Sequence, residues 1–413
     1  MGHAMDDRLS AVATLSVEAR AELGPDLGWL VRAVWPRALI RLDEAAPPGF
    51  RTAEVFEVIP SASRPRVLVP VHADALIVAT LRGVNDGMGT LGRRRRAIRS
   101  RSVARASGRF PELVVAFPGD PRPLELPTQV LREVLGRPDV QAAYSFGPAR
   151  ATRKPIVQAL TLDGEVLAFA KLGWNERVDS LLENEARALR RLALYRPTSF
   201  ASPRLIDQVR WGDGRAMTVV EQIPVGVRAE VRPGTMPPAS VVHDIAKIGG
   251  VAFAPLGTSP FWRRVLDRSR GTTPARRAVS TTLAWLHEIH GRRPIWQGSW
   301  HGDFAPRNML TLGGRLHIWD WERFANGVPL GLDVLHFHFE TAYRRDRHVP
   351  RAAARAVRRS RPVLASLGVP DDDVELLASC YLAERLLRCE EGDGGALHRG
   401  DLVDELRRWA GRT

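Results

Sequence analysis

The chain is 413 residues long, more than a single hydrophobic core usually serves, so two or three domains are expected. Its 44% hydrophobic and 26% charged content is that of a soluble globular protein, not of a disordered or fibrous one. The formal charge of +14 invites a nucleic-acid reading, but nearly all the bases are arginine, which is as readily a compositional bias, and Lys154, Lys171 and Lys247 are the lysines.

From the N-terminus, the first residues lack a basic segment followed by an apolar one, and Asp6 stands where a myristoylation signal needs Ser or Thr. A cytoplasmic location is the expectation. Residues 1–125 read as a separate N-terminal α/β module. Within it, residues 15–35 carry helical apolar spacing, and 56–60 and 67–71 are rich in branched residues and predict strands. The most apolar stretch, 67–81, is interrupted by Pro70, His72 and Asp74, which argues against a membrane span. A dense basic run follows at 92–105, with no interleaved aromatics, so a solvated face is favoured over a polyanion-binding one. Pro118, Pro121, Pro123 and Pro127 then punctuate a linker.

After the linker, residues 128–135 predict a short helix and 142–147 a strand entering a loop with one glycine, Gly147. Residues 156–162 and 165–172 predict strands joined by Asp163-Gly164, a strong hairpin signal, and Lys171 falls at the end of the second. Residues 181–194 predict a helix carrying Glu183-Asn184-Glu185, and 217–223 a buried strand ending in Glu221-Gln222-Ile223. Further helices are expected at 279–290, stopped by Gly291, at 374–388 and at 402–410. Cys380 and Cys389 share one of these helices without nearby ligand types, so both are expected as buried thiols. Lys154 and Lys247 have no motif around them and are expected in solvated or helix-end positions.

The segment that carries chemistry is His301-Gly302-Asp303-Phe304-Ala305-Pro306-Arg307-Asn308, followed by Asp320 in Ile318-Trp319-Asp320-Trp321-Glu322. A carboxylate for an attacking hydroxyl and oxygen ligands for a divalent cation are what phosphoryl transfer asks for, and an H-x-D-x-x-x-x-N string with a downstream Asp supplies both. With Lys171 on an upstream strand and Glu185 on the next helix, the order of elements resembles the two-lobed protein kinase-like fold, an α+β architecture. More narrowly it resembles the aminoglycoside phosphotransferase superfamily, because Gly302 stands between His and Asp and Asp320-Trp321-Glu322 replaces Asp-Phe-Gly. The resemblance covers about residues 130–390, with an N-lobe at 126–224 and a C-lobe at 225–413.

The resemblance implies an ATP-dependent kinase using Mg2+ and a small-molecule hydroxyl substrate. Lys171 would contact the ATP phosphates, held by Glu185 with Glu183 as the alternative, and Gly147 lies in the loop that would cover the phosphates. Glu221 to Ile223 would hold adenine through backbone groups, Asp303 would act as catalytic base, and Asn308 and Asp320 would bind Mg2+. Asp333 would cap the helix after the metal strand. Ala305 occupies the place of a lysine found in many protein kinases, which favours a small substrate over a protein.

His301 is expected to be structural. Glu322 is expected either to reach the metal or to pair with a surface arginine, the pairing being favoured, Trp319 and Trp321 to serve as core and cleft wall, and Arg307 either to assist transfer or to face solvent. A catalytically silent relative would be marked by loss of Lys171, Asp303 or Asp320, and all three are present. For a cationic acceptor, Asp371-Asp372-Asp373, Glu375, Glu384, Glu390 and Glu391 are the candidate acids, though neighbouring arginines offset them.

Overall fold

The computed structural model describes residues 23–71, 75–77, 79–80, 110–147, 149–223, 228–230, 235–393 and 397–411. The basic run at 92–105 and the first part of the helix expected at 15–35 lie outside these. The chain divides into two compact units. One takes the described residues up to Ala149 with Arg153–Glu183 and Arg204–Gln222; the other takes Arg150–Thr152, Asn184–Pro203 and the described residues from Ile223 onward.

The first unit is built on one sheet. Its elements are α1 (Pro25–Val34), β1 (Leu39–Leu42), β2 (Arg51–Ile59), β3 (Val67–Pro70), β4 (Glu112–Phe117), α2 (Pro127–Leu135), β5 (Gln141–Phe146), β6 (Pro155–Leu160), β7 (Val166–Leu172), the first part of α3 (Glu176–Tyr195), β8 (Leu205–Trp211) and β9 (Arg215–Glu221). The strands lie in the order β1-β4-β2-β3-β5-β6-β7-β9-β8, with every neighbouring pair antiparallel.

Period-two alternation divides its side chains between two layers. Val58, Leu68, Ala142, Tyr144 and Ala159 pack with Leu27, Leu30 and Val31 of α1 and with Val130 and Leu131 of α2. Ile59, Val67, Val69, Ala143 and Leu160 face the other way, against Leu76 and Ile77. The turn at Asp163-Gly164 closes as expected: Thr161 N–H donates to Glu165 O at 2.9 Å, and Gly164 has φ +82. A Cβ there would lie 2.8 Å from the Ala75 carbonyl oxygen, so glycine serves both the turn and the close approach.

The sheet runs through residue 125. Val67 and Leu68 of β3 pair with Ser145 and Tyr144 of β5, and the rings of Trp35, Phe56 and Tyr144 pack at centroid separations of 5.5, 5.0 and 5.4 Å. The prolines of the expected linker join β4 to α2 within this unit. Neither β1 nor β4 is among the strands expected from sequence.

The second unit is mainly helical. It holds the rest of α3, then β10 (Arg228–Glu230), α4 (Ala239–Lys247), β11 (Ala252–Pro255), α5 (Pro260–Ser269), α6 (Pro274–His290), β12 (Pro294–Trp300), β13 (Met309–Leu312), β14 (Arg315–Ile318), β15 (Ala325–Pro329), α7 (Leu332–Asp346), α8 (Val349–Ser366), α9 (Val374–Glu390) and α10 (Arg399–Ala410). Two small sheets, β10-β13-β14 extended by Phe200–Ala201 and β11-β12-β15, carry the loops that matter. Helix α6 begins earlier than its apolar pattern suggests because Thr273 Oγ1 accepts from Arg276 N–H at 3.3 Å, with Pro274 in the first turn.

An antiparallel-sheet unit and a mainly helical unit make the protein α+β and two-lobed, as expected. No described helix is long and apolar enough to cross a membrane. Cys380 and Cys389 are free and buried in α9. Lys247 sits in the last turn of α4, a helix end. Lys154 is a correction: it is 5% exposed, buried where solvent was expected.

Candidate active site

Asp303 is placed by a loop that leaves β12 and ends in the 3-10 turn Pro306–Asn308. Gly302 takes φ +83, and a Cβ there would meet the Arg323 carbonyl oxygen at 2.4 Å, so only glycine fits without movement. The backbone N–H groups of His301 and Gly302 donate to Asp333 Oδ2 at 2.7 Å and Oδ1 at 3.0 Å. This corrects the helix-capping role expected for Asp333. The cap of α7 is Gly331, without a side-chain bond. At the second helical position the Asp333 carboxylate is tilted back past the N-terminus, where the loop's two donors take it. His301 is fully buried and structural. Its Nδ1 accepts from Asp303 N–H at 3.1 Å, so Nε2 carries the hydrogen and donates to Trp319 O at 3.0 Å.

Three side chains hold the Asp303 carboxylate. Asn308 Nδ2 donates to its Oδ2 at 2.8 Å and to its backbone oxygen at 2.8 Å; His336 Nε2 meets Oδ1 at 3.0 Å; Arg307 donates to the same Oδ1. Arg307 also reaches Glu340 Oε2 at 3.2 Å, and Arg385 donates to Glu340 Oε1 at 2.9 Å. His336 Nδ1 lies 3.2 Å from Tyr381 Oη. Burial pushes the Asp303 carboxyl up, but the Arg307 guanidinium and the His336 hydrogen bond overcome this and hold it well below the usual range. The side chain keeps 19% exposure, enough for a hydroxyl to reach an ionised oxygen. Arg307 thus neither faces solvent nor stands free; it bridges two carboxylates.

Asn308 and Asp320 are tied by backbone: Trp319 N–H donates to Asn308 O at 3.1 Å, and Met309 pairs with Ile318. Asp320 adopts the left-handed conformation, φ 68 and ψ 52, which Asp tolerates better than most residues. The following turn is gripped by Asn184 Nδ2, which donates to Glu322 O at 2.9 Å and Phe324 O at 2.8 Å. Trp321 is core, stacked on Phe200 at 5.7 Å, while Trp319 is half-buried. Glu322 is 6% exposed, buried where a surface position was expected. With the Asn308 amide nitrogen engaged by Asp303, the oxygen end of that amide is left as a donor, and Asp320 brings a carboxylate on the adjoining turn. That chemistry fits a hard cation such as Mg2+, which is commonly held by one or two carboxylates and completed by phosphates and water.

Lys171 lies on β7, in register with Thr218 of β9, whose Oγ1 donates to Leu182 O of α3 at 3.3 Å; the residue is therefore on the α3-facing side of the sheet. Glu183 accepts from Arg210 Nη2 at 2.7 Å and is 40% exposed, whereas Glu185 is 3% exposed. Glu221 ends β9, where Arg204 Nε donates to its carboxylate at 2.8 Å, and Ile223 is half-buried. Gly147 is exposed, with open space where a Cβ would stand.

His336, Glu340, Tyr381 and Arg385 were not singled out from sequence. A signal was there: Asp333, His336 and Glu340 recur at helical spacing within an otherwise apolar stretch, which marks a polar stripe. The acids considered for a cationic acceptor, Asp372 apart, meet arginines. Glu384 and Glu391 bond Arg268 at 2.7 and 2.8 Å, Arg388 bonds Glu384 at 2.8 Å, Glu375 meets Arg361 at 3.4 Å, and Asp373 meets Arg293 at 2.7 Å.

No family model and no curated protein matches the chain. Among solved structures it is similar to a thermostable mutant of aminoglycoside phosphotransferase APH(4)-Ia, at 13% identity over 69% of this chain and 98% of that one, TM-score 0.48. It is similar to APH(2")-IIia in a GDP and kanamycin complex, at 14% identity over 69% and 98%, TM-score 0.43. It is also similar to choline kinase LicA from Streptococcus pneumoniae, at 12% identity over 69% and 98%, TM-score 0.43.

Proposed function

We propose that the chain is an ATP-dependent O-phosphotransferase acting on a hydroxyl of a small molecule. The observation that carries this reading is Asp303: a partly accessible carboxylate, kept ionised by Arg307 and hydrogen bonded by His336 and Asn308, with Asp320 on the turn adjoining Asn308. In the reaction the acceptor oxygen bonds to the γ-phosphorus as the bond to the β–γ bridging oxygen breaks, releasing ADP, and the hydroxyl proton passes to Asp303. Held this far down, Asp303 is a weak base. Its part is to orient the O–H by accepting its hydrogen bond, with the proton crossing as the phosphorus–oxygen bond forms.

Asn308 and Asp320 would hold Mg2+, which when bound neutralises phosphate charge. Lys171 would supply an ammonium to the phosphates. Glu185 is a better partner for it than Glu183, which Arg210 already engages. Backbone groups at Glu221 to Ile223 would hold adenine, and the loop at Gly147 would lie over the phosphates. Ala305 at the place of a protein-kinase lysine supports a small acceptor.

Calorimetric titration with Mg-ATP and ADP release over a panel of hydroxyl acceptors test the assignment. Wild type is expected to bind Mg-ATP below millimolar concentration, and Lys171→Ala to weaken it. Asp303→Asn should leave binding nearly intact while turnover falls about 10²–10⁴-fold. Asp320→Asn should damage Mg-dependent binding as well. Absence of binding by the wild type at millimolar nucleotide would sink the reading, and equal losses of affinity in both carboxylate variants would remove the division of roles.

A further inference from the structure

Helix α7 lays one polar stripe along the loop that carries Asp303. Asp333 takes the N–H groups of His301 and Gly302, His336 meets Asp303, and Glu340 takes Arg307 and Arg385. Continuing the same spacing, Arg344 is the next residue on this face, about 6 Å along the axis from Glu340 and about 12 Å from His336.

Arg344 is exposed, and among the described residues no carboxylate lies within ion-pair distance of it, whereas its neighbour Arg345 bonds Asp346 at 2.7 Å. Arg347, the left-handed cap that ends α7, is also exposed, with its guanidinium 5.6 Å from the Tyr343 ring centre. Desolvation, followed by the like charge of Arg307, lowers the Arg344 pKa, while Glu340 and Asp303 pull the other way; the side chain thus lies in the field of the site. The network behind it is already balanced, since Asp303 and Glu340 are matched by Arg307 and Arg385. Arg344 therefore leaves an unmatched positive charge on the helix face that holds Asp303, with Arg347 at the end of the same helix. A basic last turn also suits the helix dipole, but that explains a charge at the helix end, not its place on the stripe facing the loop.

We propose that the acceptor carries an anionic group, a carboxylate or a phosphate monoester, which Arg344 binds with Arg347 at its flank while Asp303 takes the hydroxyl. The inference rests on the phosphotransferase reading. It assigns the substrate class that the arginine-paired acids of this unit leave open, and a planar guanidinium is the group best shaped for a carboxylate or phosphate.

Two acceptor panels with Mg-ATP test it, read by ADP release: hydroxy acids and sugar phosphates in one, uncharged sugars and amino alcohols in the other. Turnover is expected from the anionic panel. Arg344→Ala should then raise KM about tenfold or more with kcat within about threefold, Arg344→Lys should recover part of the loss, Arg344→Glu should exceed it, and Arg345→Ala should change neither constant. Circular dichroism of the variants separates a folding defect from a binding one. A best acceptor from the second panel, no turnover of any anionic compound, or an unchanged KM in Arg344→Ala each overturns the proposal. Failure of the underlying phosphotransferase reading shows separately, as absence of Mg-ATP binding by the wild type.

Discussion

Asp303 and His336 share a hydrogen bond, and the proton's place on the imidazole follows from its surroundings. Burial lowers the His336 pKa, so the ring is neutral at pH 7, with Nε2–H donating to Asp303 and Nδ1 accepting from the Tyr381 hydroxyl. The aspartate is thus oriented by a neutral donor on one side and a guanidinium on the other. Two other imidazoles make acid stability measurable: burial pushes His301 and His338 down to about 4. Unfolded, each takes a proton near pH 6.5, so between about 6.5 and 4 the unfolded chain binds more protons and stability falls as pH falls. Asp333, which burial pushes up to about 7, acts in the opposite direction, because its folded carboxyl is protonated where the unfolded one is not. Buried His336, also pushed down, acts with these two, and the three imidazoles outweigh the one carboxyl, so stability is lower at pH 4. Urea denaturation at pH 6.5 and pH 4 should therefore show a lower midpoint at pH 4; an equal or higher midpoint contradicts the assignment.

Helix α7 is buried on most of its circumference and polar on one stripe, and the two serve different purposes. Leu332, Leu335, Phe337 and Phe339 anchor it in the core, Phe339 meeting the Tyr381 ring at 5.5 Å. The stripe uses that rigidity to fix the loop: Asp333 sets its backbone, His336 its carboxylate and Glu340 its arginine. Asp333→Ala leaves two buried N–H groups without an acceptor, which should cost about 2–5 kcal/mol. Chemical denaturation measures this directly. A loss under about 1 kcal/mol would mean that the loop does not depend on α7 for its shape.

At the level of the whole molecule, the nine-stranded sheet decides what can be removed. Trp35, Phe56 and Tyr144 are each at most 2% exposed and pack on one another, and each large apolar side chain of this kind contributes about 2–3 kcal/mol on burial. A chain beginning near Leu124 would bare the edge of β5 that pairs with β3 and would strip Tyr144 of both ring partners. Exposed strand edges with apolar faces aggregate. Such a truncation is expected in the insoluble fraction, while the full chain stays soluble. A soluble truncation with a cooperative melt would show that β5 to β9 form a sufficient core alone.

What the sequence by itself determined was chemistry held by short stretches of chain. Asp303 and Asn308 meet because only a 3-10 turn separates them, Asp163-Gly164 makes its hairpin because the turn needs a positive φ, and Lys171 ends a strand that its own alternation defines. The resemblance read from those residues also anticipated the α+β, two-lobed architecture. Tertiary structure alone decided the rest. Strands β1 and β4 exist because distant partners complete their hydrogen bonds, and residue 125 marks no break because β3 finds β5. Asp333 holds a loop rather than capping its helix, and Lys154 is buried. Local spacing reports which face a residue takes on its own element; which group waits opposite that face depends on pairings between segments far apart in the chain, and a periodicity carries no record of them.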